Sequence, residues 1–276
     1  MGGAEGRPST PYSNRRAVVE RLQHDRAKHD EARYERGVQR NQDEVELVPA
    51  TARLPYPARD VVEALGPLVT DARLARFREI LARRTRSLIP VLDGLSDPHN
   101  GAAILRSADA FGCHEVHTVE GRFPFAISHR ISRGTQRWLN LIQHKTGTAC
   151  CDVLEARGYE IFVAAMEGTV TPEDLAKVPK AAVVFGNEHR GVSSEIRSRA
   201  KGVYRIPMVG FVESLNVSVA SAITLYTASQ GRHGDLSAQD QEEALARFLL
   251  SQVRDADRIV RSRLSSGGSD TGGSTG

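Results

Sequence analysis

Three short polar runs concentrate the side chains of this chain that could do chemistry. The first is Asp97-Pro98-His99-Asn100-Gly101-Ala102-Ala103-Ile104-Leu105-Arg106. It follows an apolar run and opens a helical one, and the free N–H groups and dipole of a helix start favour an anion. Asn100 reads as the N-cap, with Arg106 six positions on. The same residues also fit a capped helix carrying a surface arginine. The second run, Val183-Val184-Phe185-Gly186-Asn187-Glu188-His189-Arg190-Gly191, takes an apolar strand straight into a polar turn. Open α/β sheets bind ligands at such carboxyl ends. The Gly186 to Gly191 spacing imitates a phosphate loop, but Val192-Ser193 stands where Lys-Ser or Lys-Thr is required, which excludes a nucleoside triphosphatase. The third run, Ile206-Pro207-Met208-Val209-Gly210-Phe211-Val212-Glu213-Ser214-Leu215-Asn216-Val217-Ser218-Val219-Ala220-Ser221-Ala222, is a loop entering a helix that Ser214 or Asn216 can cap. Small residues at the start of that helix allow close approach of another backbone, and they fit plain helix packing equally well.

The elements that must position these runs alternate. Strands are expected at residues 88–92, 115–119, 139–143, 160–164, 181–185 and 203–206, and helices at 100–111, 148–157 and 216–229. This alternation predicts an α/β fold with a parallel sheet covered on both faces. Aromatic residues at 5% disfavour an all-β sandwich. Ahead of this core, Leu74, Phe77, Ile80 and Leu81 form a helical stripe over residues 71–86, with Arg73, Arg76, Arg83, Arg84 and Arg86 largely off it. One face of that helix docks and the other offers cations, either to phosphates or to solvent. Residues 1–57 form a charged extension expected to be partly disordered. Residues 58–87 form the basic helical segment and 88–230 the core. Residues 231–264 form a helical C-terminal extension with one helix over 238–263, and 265–276 a flexible tail.

The 276 residues carry a net charge of +3, with 40% hydrophobic residues and no run long enough for a membrane helix. The first twelve residues lack a secretory apolar core. Cys113, Cys150 and Cys151 show no paired spacing and no CxxC, so free thiols in a reducing cytoplasm are expected, with no metal. No GxGxxG occurs, which weakens any dinucleotide reading.

Taken together and in order, the three runs resemble the motifs of the TrmH (SpoU) branch of the SPOUT RNA methyltransferases, over about residues 68–230. The Ser-Leu-Asn-Val-Ser stretch of the third run is the most diagnostic. The resemblance implies a SPOUT α/β knot fold with a C-terminal trefoil knot, a homodimer, and S-adenosyl-L-methionine bound in the knot. It implies catalytic roles for Asn100, Arg106, Glu188, Ser214 and Asn216. It also implies a cofactor pocket of Phe185, Gly186, Asn187, Ile206, Met208, Leu215 and Asn216. Arg73, Arg76, Arg84 and His99 become tRNA contacts. Gly134-Thr135-Gln136-Arg137-Trp138 resembles a segment of the tRNA branch, which points to 2'-O-methylation of the D-loop guanosine at tRNA position 18.

Such a transfer needs positioning and removal of a hydroxyl proton, and no metal. On this reading Arg106 orients the hydroxyl and Asn100 holds Arg106. Asn216 and Ser214 position the ribose and the cofactor loop, and Glu188 positions loops rather than moving protons. Two other functions stay open: a 23S rRNA 2'-O-methyltransferase of the same superfamily, and an inactive knotted RNA-binding protein.

Overall fold

The computed structural model describes residues 54–120 and 138–267. The expected disordered extension lies outside the described residues up to residue 53, as do Gly134 to Arg137 and the tail from 268 on. Six strands form one fully parallel sheet: β1 Leu88–Asp93, β2 Glu115–Val119, β3 Asn140–His144, β4 Glu160–Ala164, β5 Ala181–Phe185 and β6 Gly202–Tyr204. Their order is β3-β2-β1-β5-β4-β6. The middle strands β1 and β5 pair in register, Leu88 opposite Ala181 and Leu92 opposite Phe185. Both are buried throughout, which is why their sequences read as continuous apolar runs.

Alternation along those strands feeds two separate cores. Leu88, Leu92, Val183 and Phe185 face one side. There they meet α3 (Pro98–Ala110), α5 (Pro172–Leu175) and α7 (Val217–Ala228) through Ile104, Leu105, Leu175 and Leu225. Ile89, Val91, Ala182 and Val184 face the other side. They pack on Cys150, Cys151, Leu154 and Ile196 of α4 (Gly147–Ala156) and α6 (Ser194–Arg197).

A third core is mostly helical. The helices α1 (Ala58–Leu65), α2 (Asp71–Arg83), α8 (Ala238–Gln252) and α9 (Ala256–Gly267) bury Val61, Leu65, Phe77, Leu81, Leu245, Phe248, Leu249 and Val260 together. The two helical segments expected on either side of the sheet domain therefore share one core. Trp138 joins it, its ring 5.0 Å from Phe248 and 5.9 Å from Phe77.

The single helix expected over 238–263 is two. α8 ends at Gln252, and Asp255 adopts φ 56, a left-handed geometry that Asp tolerates and that turns the chain before α9. No helix among the described residues is long and apolar enough to cross a membrane.

Candidate active site

The loops after β1, β5 and β6 all leave the carboxyl edge of the parallel sheet, so the fold brings the three polar runs to one place. A side-chain chain stitches them together. Asn100 Nδ2 donates to Glu188 Oε1 at 2.8 Å. Asn216 Nδ2 donates to Asn100 Oδ1 at 3.1 Å. Asn216 Oδ1 in turn accepts from the Ser218 amide at 2.8 Å and its hydroxyl at 2.5 Å. The other oxygen of Glu188 accepts from the amide and hydroxyl of Ser96, at 3.2 and 3.1 Å. One carboxylate and two amides thus span 116 positions of sequence.

Local chemistry explains why Asn100 is free for this. The cap of α3 is Asp97, whose carboxylate accepts from the His99 amide at 2.8 Å, with Pro98 in the first turn. The expected cap role of Asn100 is therefore corrected: it lies inside the helix, 9% exposed, with both ends of its amide engaged by the other two loops. Of the two candidates for α7, Asn216 is the cap. Ser214 is exposed and makes no hydrogen bond among the described residues, so the structure does not bring it into the network.

Arg106 is exposed near the end of α3 and has no hydrogen bond or ion pair among the described residues. Six residues at about 100° each put it roughly 120° around the axis from Asn100. Asn100 therefore does not hold Arg106; it holds the loops, and Arg106 is left open to a ligand.

Glu188 is built as an anchor. Burial works to raise its pKa, but the donors from Asn100, from the Glu188 and Ser96 backbone and from the Ser96 hydroxyl outweigh that and hold it below the usual glutamate range. A carboxylate so engaged is a poor proton acceptor.

Asn187, expected at the cofactor, is fully committed to the loop itself. Its amide donates to Gly94 O at 2.8 Å and Ser96 Oγ at 2.7 Å, and its oxygen accepts from the His189 and Arg190 amides at 3.0 and 3.1 Å. Gly186 owes its smallness to the chain: a Cβ there would lie 2.3 Å from the Gly191 and Val192 backbone. Phe185 is buried in the sheet core. Ile206, Met208 and Leu215 are half-buried along the third loop, and His99 is exposed beside Asn100.

Arg84 is a correction. It is 2% exposed, donates to Cys113 O at 2.6 Å and pairs with Asp109 of α3. It holds α2 to the sheet domain and cannot reach RNA. Arg73 and Arg76 are exposed, though Arg73 donates to Gln252 and Arg76 pairs with Glu79.

Sequence reasoning missed Ser96 and Asp93. Ser96 links Glu188 to Asn187, and Asp93 accepts from the Ser193 amide at 2.6 Å, pinning the second loop to β1. Their only signal was a polar residue at or just past the end of an apolar strand.

The sequence profile of the SpoU rRNA methylase family matches residues 87–226. A Thermus thermophilus protein named tRNA (guanosine(18)-2'-O)-methyltransferase is 37% identical over 164 residues, 59% of this chain and 84% of its own. One of the same name from Aquifex aeolicus is 34% identical over 197 residues, 67% of this chain and 92% of its own. The crystal structure of the A. aeolicus TrmH/SpoU tRNA modifying enzyme superposes with a TM-score of 0.60 at 28% identity, covering 67% of this chain and 98% of that one.

Proposed function

The chain belongs to the SpoU rRNA methylase family, and on that premise we propose that it methylates the ribose 2'-hydroxyl of a tRNA guanosine, the D-loop position 18 named for its relatives. The observation that carries the reading is the Glu188–Asn100–Asn216 chain, which ties the three loops together, with Arg106 unpaired on another face of α3.

The methyl donor on this reading is S-adenosyl-L-methionine, which supplies an electrophilic methyl on sulfur when bound. Ile206, Met208 and Leu215 offer it a half-buried apolar surface, and exposed backbone of residues 209–214 offers polar groups. Asn187 and Gly186 shape this pocket from behind, through the loop contacts above.

Arg106 orients the ribose hydroxyl and a neighbouring phosphate with its planar fork and stabilises negative charge developing on the oxygen. A guanidinium is not a proton acceptor in a protein, so Arg106 is not the base. Asn216 fixes the start of α7 and with it the third loop.

The trefoil knot belongs to this reading. It rests on the likeness to the TrmH/SpoU enzyme. The division into a catalytic domain of residues 88–230 with helical flanks, and work in the cytoplasm, belong to it as well.

A homodimer is supported by a stripe of exposed apolar residues on α7, Val219, Ile223 and Tyr226, continued by Val209, Phe211 and Val212 on the third loop. The small face of α7, with Ser221 and Ala228, packs inward. Sedimentation at a single-chain mass at micromolar concentration overturns the dimer. RNA affinity falls to Arg73 and Arg76, and their replacement by alanine flattens the salt dependence of tRNA binding; an unchanged slope removes them.

The deciding test supplies unmodified tRNA and 23S rRNA transcripts with labelled cofactor and maps the product by mass spectrometry. Label at guanosine 18 of tRNA is the expected result. Label only in rRNA shifts the substrate to the ribosome. Label in neither, with tRNA still bound, makes the chain an inactive RNA-binding member.

A further inference from the structure

On the other face of the sheet, three side chains converge that the methyl transfer does not use. His117 of β2, His144 of β3 and Cys150 of α4 are all buried, and their donor atoms lie within 4.8 Å of one another. His117 Nδ1 is 2.9 Å from His144 Nε2 and 3.9 Å from Cys150 Sγ. Behind them, His117 Nε2 is 2.9 Å from Glu115 Oε1, and that carboxylate also accepts from Arg157 at 2.5 Å and from Asn140 at 2.9 Å. We propose that His117 Nδ1, His144 Nε2 and Cys150 Sγ bind one zinc-class ion.

Three observations carry this. The donor set of two imidazoles and one thiol is one that zinc prefers. Tetrahedral zinc, with bonds of about 2.05 Å to nitrogen and 2.3 Å to sulfur, puts two nitrogens about 3.3 Å apart and nitrogen to sulfur about 3.6 Å. The first pair opens and the second closes by a few tenths of an ångström, and the third, from His144 Nε2 to Cys150 Sγ, lies within 4.8 Å and closes by up to about an ångström. The third observation is the outer shell. A histidine that ligates through one ring nitrogen characteristically gives the other N–H to a carboxylate, which fixes its tautomer and direction. Glu115 stands in that place and is itself held by Arg157.

Binding releases the Cys150 thiol proton to solvent, because the ligand is the thiolate, and both imidazoles bind neutral. The nearby Asp93 carboxylate is committed to the Ser193 amide. The described residues therefore supply three ligands and leave the fourth position to water. The site lies across the sheet from the α3 and α7 face and would tie α4 to the β2–β3 edge. The sequence expectation of no metal rested on spacing, and these ligands come from three separate elements.

The rival arrangement is metal-free: His144 donates to His117, His117 donates to Glu115, and Cys150 is a small apolar filler. Untagged protein from zinc-supplemented cells, analysed by elemental mass spectrometry, should hold about one zinc per chain. Demetallated protein titrated with Co2+ should develop thiolate-to-cobalt charge-transfer absorption, and adding Zn2+ should raise its Tm. Cys150→Ala should abolish the charge-transfer band while circular dichroism and methyl transfer persist; Cys151→Ala should leave the band intact. Should Cys150→Ala fail to fold, the wild-type zinc content and cobalt spectrum decide alone. Folded wild-type protein without zinc and without a thiolate band overturns the site in favour of the hydrogen-bond chain. A band that survives Cys150→Ala overturns this ligand set.

Discussion

Two polar networks hang from one sheet, and both are organised by a glutamate. At the carboxyl edge of β1 and β5, Glu188 accepts from Asn100 and Ser96, and the network ends at exposed Asn216, while Arg106 stands unpaired on another face of α3. Under α4, Glu115 is 3% exposed and binds the buried His117 and the half-buried Arg157 and Asn140. In both cases burial works to raise the carboxyl pKa and hydrogen bonds reverse it; for Glu115, donors from His117 and Arg157 bring it down to about 2. What differs is the outer end. The first network leaves a cation facing outward and can therefore act on a ligand. The second is sealed at Glu115 and His117, and it holds β2 to its neighbours. Burial of the last group, more than residue type, separates a site from a strut.

The sharpest way to break this comparison is Arg106→Ala. The expected outcome is a loss of about a hundred- to a thousandfold in single-turnover methyl transfer, the size of losing a preorganised donor. Stability should change by no more than about 0.5 kcal/mol, as for other exposed side chains. Lysine should not rescue the rate. Cofactor titration should match wild type. Near-normal transfer would make Arg106 a surface residue and the two networks alike.

Glu115→Ala is the converse. It leaves one nitrogen of buried His117 unpaired and takes the partner from Arg157, which is a third exposed, so a loss of about 2 kcal/mol is expected in urea unfolding. Transfer per folded molecule should stay within a factor of about two. A selective rate loss at unchanged stability would show that the sealed network reaches the chemistry.

Much of this division was legible in the sequence, because the first network is written in three contiguous runs. The strand bounds at 115–119, 160–164 and 181–185 also followed from short apolar runs between turns. The second network could not be read. His117, His144 and Cys150 lie on two strands and a helix, and only the β2–β3 register brings His117 within reach of the residue that follows Gln143. Arg84 was misread for the same reason: its partner Asp109 is 25 residues away, on a helix whose docking is a tertiary fact. The break at Asp255 has no glycine or proline to announce it.

Mild acid should separate the two regions by a smaller amount. His114, at the entry to β2, is held at about 4 by burial first and then by the charges of Arg86 and Arg84, and its Nδ1 has no hydrogen-bond partner. Its folded pKa lies below the ordinary 6.5. The unfolded chain therefore takes up the proton first, and stability is complete above pH 6.5 and falls as pH drops towards 4. Thermal melts across that window should show the decline, and His114→Phe should remove only part of it, because burial holds His144 at about 4 as well. Glu188, held below its ordinary 4.5, stays ionised through the upper part of that window, so cofactor binding should hold there while the protein is folded. Binding that fades at pH 6 in folded protein would break the separation.

The smallest effect tests whether the open network is a network at all. Asn100 and Asn216 each have a second role, one donating to Glu188 and the other capping α7, so single substitutions report those roles more than the link. Asn216→Ala should cost about 1 kcal/mol as a lost cap. Asn100→Ala should cost about 2 kcal/mol, since its partner is charged. The link itself is one neutral hydrogen bond of 3.1 Å, worth on the order of 1 kcal/mol. If the two amides act through each other, the double variant loses less than the sum by about that amount. The cycle should be run by urea unfolding with and without saturating cofactor. A coupling that grows with cofactor shows that ligand binding tightens the frame between the first and third loops. Additivity within about 0.3 kcal/mol in both conditions would mean that the loops are positioned independently by the sheet and by α7, and that Asn100 serves Glu188 alone.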